Sequence, residues 1–128
     1  MTPIGNVGAR QDLQIRQGAT LGPLRVTAKD RTTGLPLDLT GCLVRGQIRK
    51  TAASPAVVAQ FAITIIDALA GRFDVDMDEA TTAAIPAGAD MTRPESCYVY
   101  DIELRDSLNR VIPLLWGNVN VLREVTRG

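Results

Sequence analysis

The stretch YVYDIEL at residues 98–104 decides the fold. Apolar residues recur at every second position along it, so that four of them share one face. They are Tyr98, Tyr100, Ile102 and Leu104. An alternation with a period of two is typical of a β-strand that buries one face. The stretch therefore predicts a strong strand, and the polar residues 106–109 that follow it predict the turn of a hairpin.

The same period of two continues through most of the remaining chain. Short runs rich in Gly, Asp and Pro separate the periodic segments and predict turns. The predicted strands cover residues 13–16, 24–28, 42–49, 58–66, 73–77, 98–105, 111–116 and 119–125. Residues 58–66 form a single predicted strand with Phe61, Ile63 and Ile65 in phase. Gly117 is expected to mark a bulge or bend before the last strand.

One short helix interrupts the strands. Asp78 is suited to cap its first turn, and Pro86 ends it. Seven to eight closely spaced strands with one brief helix predict an all-β fold, an Ig-like antiparallel β-sandwich. We expect residues 1–11 to form an N-terminal arm and residues 12–127 to form a single Ig-like β-sandwich domain. An antibody-type domain is excluded, because Trp116 follows both cysteines and does not lie between them.

The two cysteines, Cys42 and Cys97, both lie in apolar runs. The chain has no secretion signal, and a free cysteine packs as a small apolar residue. We therefore expect two buried free thiols rather than a disulfide, although the sequence does not decide whether the two ever pair.

The composition argues against catalysis and against nucleic-acid binding. The 128 residues include no His, which rules out imidazole acid–base steps and His-ligated zinc. The 14 basic residues balance the 14 acidic ones and only 4% of residues are aromatic, so the basic surface and the stacking platforms that nucleic acids need are both missing. No apolar stretch is long enough to span a bilayer. We expect no enzyme, no cofactor, no metal, no nucleic-acid partner and no membrane partner.

Two acidic clusters are candidate sites. Residues 74–79 carry carboxylates at the first, third and fifth positions of an EF-hand loop, but Glu79 stands where Gly is needed and Ile85 where a bidentate Glu is needed. The solvent face of a strand explains this run better. Asp101 and Glu103 share one strand face at a spacing compatible with acid–base chemistry. We interpret them as cross-strand ion-pair partners of arginines. The candidate arginines are Arg45, Arg49 and Arg110.

The first ten residues show no periodicity and have two interpretations. They are a frayed end, or an arm that adds itself to the sheet edge of a neighbouring subunit with apolar anchors. Trp116 likewise either caps the core or anchors an interface, where Trp is enriched. The candidate assembly interface consists of Pro3, Ile4, Val7 and Trp116.

Segments in both halves of the chain carry a resemblance to a known family. In the first half these are DLQI at 12–15, QGAT at 17–20, PLDLTG at 36–41 and QIRK at 47–50. In the second half they are GRF at 71–73, TTA at 81–83, YDIEL at 100–104, WGNVNV at 116–121 and EVTR at 124–127. In this order they resemble small tailed-bacteriophage and prophage structural proteins related to the N-terminal Ig-like domain of phage baseplate upper proteins. The resemblance covers residues 12–127.

This resemblance implies a β-sandwich component of the virion, assembled in the bacterial host cytoplasm, without catalytic residues. The implied partners are other virion structural proteins and further copies of the same chain in a symmetric assembly. Because the chain ends at Gly128 without an extension for a receptor-binding head, a tail, baseplate or fibre-attachment adaptor is the expected role. The alternatives are a capsid decoration or cement protein and a carbohydrate-binding module for host attachment.

Overall fold

The structure, a computed structural model, describes residues 8–126. Within this range the chain forms nine strands, one α-helix and one 3₁₀ helix. The elements in chain order are β1 (Ala9–Arg10), β2 (Leu13–Arg16), β3 (Leu21–Thr27), β4 (Leu43–Arg49), β5 (Ala59–Gln60), β6 (Ala62–Asp67), β7 (Arg72–Met77), α1 (Glu79–Ala83), the 3₁₀ helix (Pro94–Ser96), β8 (Cys97–Arg105) and β9 (Val111–Leu122).

The strands form two sheets packed in a sandwich. In the larger sheet β1 and β2 both lie against β9, which is followed by β8, β4 and β5, and the smaller sheet has the order β3, β7, β6. The neighbours β4, β8 and β9 match strands C, F and G of an immunoglobulin sandwich, and β3, β7 and β6 match strands B, E and D. The predicted all-β, Ig-like sandwich with one short helix is confirmed.

The first edge of the larger sheet differs from the antiparallel expectation. Both β1 and β2 run parallel to β9, with Ala9 opposite Leu115 and Leu13 opposite Val119. Alternation reports which face of a strand is buried, but not which neighbour the strand pairs with or in which direction. Residues 9–10 of the predicted arm are therefore part of the sheet.

The strand predicted at residues 58–66 is wrong as a single element, because the chain changes sheets within it. β5 pairs with β4, whereas β6 pairs with β7. Phe61 lies at the crossing, where its buried ring contacts the Tyr100 ring edge-on with the centroids 5.7 Å apart. Its backbone N–H donates to the Gly46 carbonyl at 3.0 Å. Beyond the crossing β6 is an edge strand, which leaves Ile65 partly exposed.

The bend predicted at Gly117 is also wrong. β9 continues through this residue with regular pairing, and the irregularity in its pairing with β8 lies between Ile102 and Glu103. A side chain at position 117 would instead meet the backbone of Gln11, with its carbonyl carbon at 2.8 Å, and the Asp12 carboxylate at 2.9 Å. The segment between β1 and β2 passes so close to β9 that only a glycine fits there.

Three hydrogen bonds hold the segment between β1 and β2, residues 11–12, against β9 and β8. The Gln11 N–H donates to Trp116 O at 2.8 Å, and the Asn118 N–H donates to Asp12 Oδ1 at 2.9 Å. The Tyr100 hydroxyl donates to the Gln11 carbonyl. The bond from Asn118 is the main cause that holds the pKa of Asp12 below its usual value. Burial, and secondly the Asp12 charge, raise the pKa of Tyr100 to about 12.

A second tyrosine closes the core at the start of β8. The Tyr98 hydroxyl bonds to the Pro86 carbonyl and lies 3.2 Å from the Glu95 carbonyl. This arrangement corresponds to the tyrosine corner of immunoglobulin sandwiches. Helix α1 begins as predicted at Asp78, whose carboxylate accepts from the Thr81 N–H at 2.8 Å. In the described range no buried side-chain N or O atom lacks a hydrogen-bond partner.

Both cysteines are free thiols. Cys42 is half-buried, but the burial predicted for Cys97 is wrong, since this side chain is exposed. Tyr98 occupies the inward position at the start of β8, and its neighbour in the sequence therefore points outward.

Candidate assembly surfaces

The predicted interface residues do not all fall in the described part of the chain. Pro3, Ile4 and Val7 lie outside it. Trp116 lies on the outer face of the larger sheet and is 38% exposed, because Gly117 beside it takes the inward position. The core-capping role is therefore wrong for Trp116, and its role as an interface anchor stays a prediction.

A row of outward side chains crosses the larger sheet at Trp116. The strand registers place Arg10, Trp116, Asp101 and Gln47 side by side on four neighbouring strands. The Arg10 guanidinium lies 5.2 Å from the centroid of the indole ring, a cation–π distance. A shallow cleft of about 390 Å³ adjoins the ring and is lined by Asp101 and Gln47. The exposed aromatic ring is thus already stacked by a side chain of its own molecule.

The two carboxylates of β8 have different surroundings. Glu103 pairs with Arg45 at 2.7 Å, which confirms the predicted ion pair. Asp101 borders a polar cleft of about 350 Å³ together with Arg49. Burial, and secondly the negative charge of Glu103, raise the pKa of Asp101. Arg49 donates to the backbone carbonyls of residues 54 and 55 at 2.9 and 2.8 Å and so braces the loop after β4.

The acidic run at residues 74–79 divides between two structural tasks. Asp74 lies on the outer face of the smaller sheet and pairs with Arg25 at 2.9 Å. The hydrogen bond from Arg25 is the main cause that lowers the pKa of Asp74. Asp78 caps α1. Among residues 8–126, no group of three or more His, Cys, Asp or Glu is arranged to hold a metal ion.

Three strand connections meet at one end of the sandwich, because β3, β6 and β8 all run towards it. These connections are residues 28–42, 68–71 and 106–110. The first two are joined by a hydrogen bond in which the Leu39 N–H donates to the Ala68 carbonyl at 2.8 Å. Each connection carries one largely exposed leucine. They are Leu35 at 64%, Leu69 at 75% and Leu108 at 71% exposure. We call the end formed by these connections the leucine end.

An aspartate fixes each of these turns. The carboxylates of Asp30, Asp67 and Asp106 accept backbone N–H groups two to four residues further along, at 2.8–3.2 Å. These bonds hold the pKa values of Asp30 and Asp106 below the usual range. Arg110 pairs with Asp106 at 2.8 Å within its own turn, so Arg45 is the one of the three candidate arginines that pairs with a β8 carboxylate. Because the bonds to the aspartates already order the backbone of each turn, the leucines that the turns carry lose little conformational entropy when they dock.

A groove opens along one side edge of the sandwich. β3 pairs with β7 on one side, and in the described range its other edge has no partner strand. Two depressions of about 410 and 440 Å³ follow this edge, and Val26, Thr27 and Leu115 line both. We call the two together the β3 groove. Its apolar lining residues include Leu13, Leu24, Val26, Leu37, Ile112 and Leu115.

The sequence pattern does not single out the three exposed leucines. Each is an apolar residue a few positions after an aspartate that begins a turn, and this is the only local signal. A lone apolar residue on a surface is ordinary. Only the strand directions bring the three to the same end, and those directions depend on pairing that the sequence pattern does not contain.

No family model matches the sequence, and no curated protein matches it. In the described part of the chain, no helix combines the length and the apolar character needed to cross a membrane.

Proposed function

We propose that the protein is a non-enzymatic structural protein of a bacteriophage particle, an adaptor in the tail, baseplate or fibre-attachment region that docks through its leucine end. The phage setting comes from the sequence resemblance over residues 12–127. The docking role is carried by one observation, the three exposed leucines held on hydrogen-bonded turns at a single end.

The expected strength of this contact suits a repeated building block. Full burial of a leucine side chain contributes about 1.5–3 kcal/mol, and these three are already partly covered. Together they supply roughly 3–6 kcal/mol, which is comparable to the free-energy cost of bringing two molecules together. A single leucine end therefore binds weakly. Many copies in a closed symmetric particle bind strongly, because each further contact becomes intramolecular.

The two alternative functions differ from this proposal in measurable ways. A capsid decoration protein uses the same kind of surface but occupies a lattice of hundreds of sites, whereas a tail adaptor is present in a few to a few dozen copies. Quantifying the protein per particle separates these two. A carbohydrate-binding module needs a free aromatic face, and the Trp116 ring carries the Arg10 guanidinium at 5.2 Å.

The docking role is tested by replacing the three leucines together, as Leu35→Ser, Leu69→Ser and Leu108→Ser. All three are exposed, so we expect the free energy of unfolding to change by no more than about 0.5 kcal/mol per substitution. Incorporation into phage particles, measured by immunoblotting of purified virions, should fall at least about tenfold, the change that follows from losing about 1.4 kcal/mol of binding.

The matched control replaces two exposed apolar residues at the opposite end of the sandwich, as Val57→Ser and Val125→Ser. These variants should enter particles normally. Normal incorporation of the triple-leucine variant would contradict the proposed docking surface.

A further inference from the structure

The unpaired edge of β3 is built to accept a strand. In a sheet every second backbone N–H and C=O points to the same side, so the free edge of β3 presents a row of groups that the described residues leave without a strand partner. Pro23 has no N–H, which restricts the accepting stretch to residues 24–27. The apolar residues of this stretch, Leu24 and Val26, both line the groove. The edge therefore offers both backbone pairing and side-chain pockets.

The chain itself contains a segment of sufficient length and matching chemistry. Residues 1–7, with the sequence MTPIGNV, precede the described range and carry no charged side chain. Fully extended, seven residues span about 23 Å, which is more than enough to cover the roughly 13 Å of the four accepting residues 24–27. Ile4 and Val7 supply apolar side chains for an apolar groove. Gly8, the residue that follows the segment, lines the same groove.

Gly8 joins the segment to the sheet at the leucine end, beside the groove. β1 enters the sheet from the leucine end, because it runs parallel to β9. Gly8 has a φ of +73°, and a side chain there would lie 2.9 Å from the Leu114 backbone. The Arg31 guanidinium also bonds to the Gly8 carbonyl. A positive φ also allows the chain to reverse direction, so these contacts permit the segment to reach its own groove as well as a neighbour's, and the assembly from repeated copies in the proposed function selects the neighbour.

We propose that residues 1–7 of one copy bind in the β3 groove of a second copy and pair with the edge of β3 at residues 24–27. This inference deepens the proposed function, since it rests on assembly from repeated copies and identifies one contact between them. The strand supplies main-chain hydrogen bonds, and the pockets around Leu24 and Val26 take its apolar side chains.

Two variants of the full protein test the exchange by mutual rescue. Deletion of residues 1–7 removes the strand and keeps the groove, while Leu24→Lys keeps the strand and blocks the groove. We expect the unaltered chain to self-associate in sedimentation velocity experiments and each variant alone to stay monomeric. A mixture of the two variants should associate, because the strand of one enters the groove of the other.

Ile65→Lys is the matched control. Ile65 lies on the other edge strand of the same sheet and is exposed to the same 38% as Leu24. We expect this variant to associate like the unaltered chain. A synthetic peptide of residues 1–7 should compete with the association of the unaltered chain, and this measurement does not depend on the folding of any variant.

Three outcomes would overturn the exchange. The first is an unaltered chain that is monomeric at every concentration, and the second is a pair of variants that fail to associate while the peptide does not compete. The third is a monomeric chain in which Leu24→Lys raises the hydrogen exchange of residues 1–7, which means binding within one molecule. The triple-leucine variant reports separately on the proposed function, because the β3 groove contains none of its three residues.

Discussion

The two side edges of the sandwich are built differently. At the edge formed by β4, β5 and β6, the backbone passes from one sheet to the other in mid-strand, at Phe61. At the opposite edge, β2 and β3 belong to different sheets and are joined only by the turn at residues 17–20. The first edge is sealed by a covalent crossing and a buried ring. The second remains open as the β3 groove.

One residue contributes to both edges. The Tyr100 ring packs against Phe61 on the side of the crossing, and its hydroxyl bonds to Gln11 on the side of the open edge. Gly117 of β9 pairs with Tyr100 of β8. Because Gly117 has no side chain, the Gln11 backbone fills the space beside it. A crossing strand closes a sandwich from within, whereas an edge held by side chains and turns depends on individual contacts that can be removed one at a time.

The largest effect is expected from Phe61→Ala at the closed edge. Truncating a buried Phe lowers the free energy of unfolding by about 3–5 kcal/mol through lost apolar contact and the cavity left behind. Because Phe61 connects strands of both sheets, unfolding should stay a single transition in urea, followed by circular dichroism. Phe61→Leu should lose less, since it keeps more of the volume. A loss below about 1 kcal/mol for Phe61→Ala would mean that the crossing is not the seal of this edge.

A smaller and more local effect is expected from Gly117→Ala at the open edge. The added methyl group meets backbone atoms of Gln11, which cannot rotate away, so the segment between β1 and β2 must shift at a cost of about 1–3 kcal/mol. Hydrogen exchange should rise first in β2.

Gly46→Ala is the contrasting control, because its methyl group would meet the Ile102 and Phe61 side chains at 2.8 and 2.9 Å. Its effect should spread through the core. Equal exchange changes in both variants would contradict the difference between the edges.

A further effect at Tyr100 is expected only at alkaline pH. An unfolded tyrosine loses its proton near pH 10, whereas the pKa of Tyr100 in the folded state is about 12. Between these values the folded state holds a proton that the unfolded state has lost, so stability falls as pH rises, by on the order of 2 kcal/mol. Urea midpoints measured from about pH 9 upward should show this decline. Tyr100→Phe should flatten it and leave the smaller contribution of Tyr98, whose pKa burial also raises. An unchanged slope in Tyr100→Phe would assign the decline to other groups.

Alternation and turn chemistry predict much of this fold because both are local. The period of two locates the strands, and the turn residues Gly34, Gly41 and Asn109 take the positive φ values that their types favour. Strand partners are not local. The pattern at Phe61 continues in phase across the change of sheet, and nothing in the sequence around Leu13 indicates a parallel neighbour.

The candidate surfaces follow the same division. Trp116 is out of phase with Val119 and Val121, so the alternation already indicated an outward position that the core-capping interpretation did not use. The leucine end and the β3 groove, in contrast, arise from strand order and direction. Residues distant in the sequence meet there, and no local pattern links them.

Because β1 and β2 run parallel to β9, the first and the last described residues lie at opposite ends of the sandwich. Gly8 lies at the leucine end, and the last described residue, Thr126, lies beside Gly18 at the opposite end. A copy immobilised on a sensor chip through its C-terminal side would present the leucine end to the solution, and a gold or fluorescent label attached there would leave that end free.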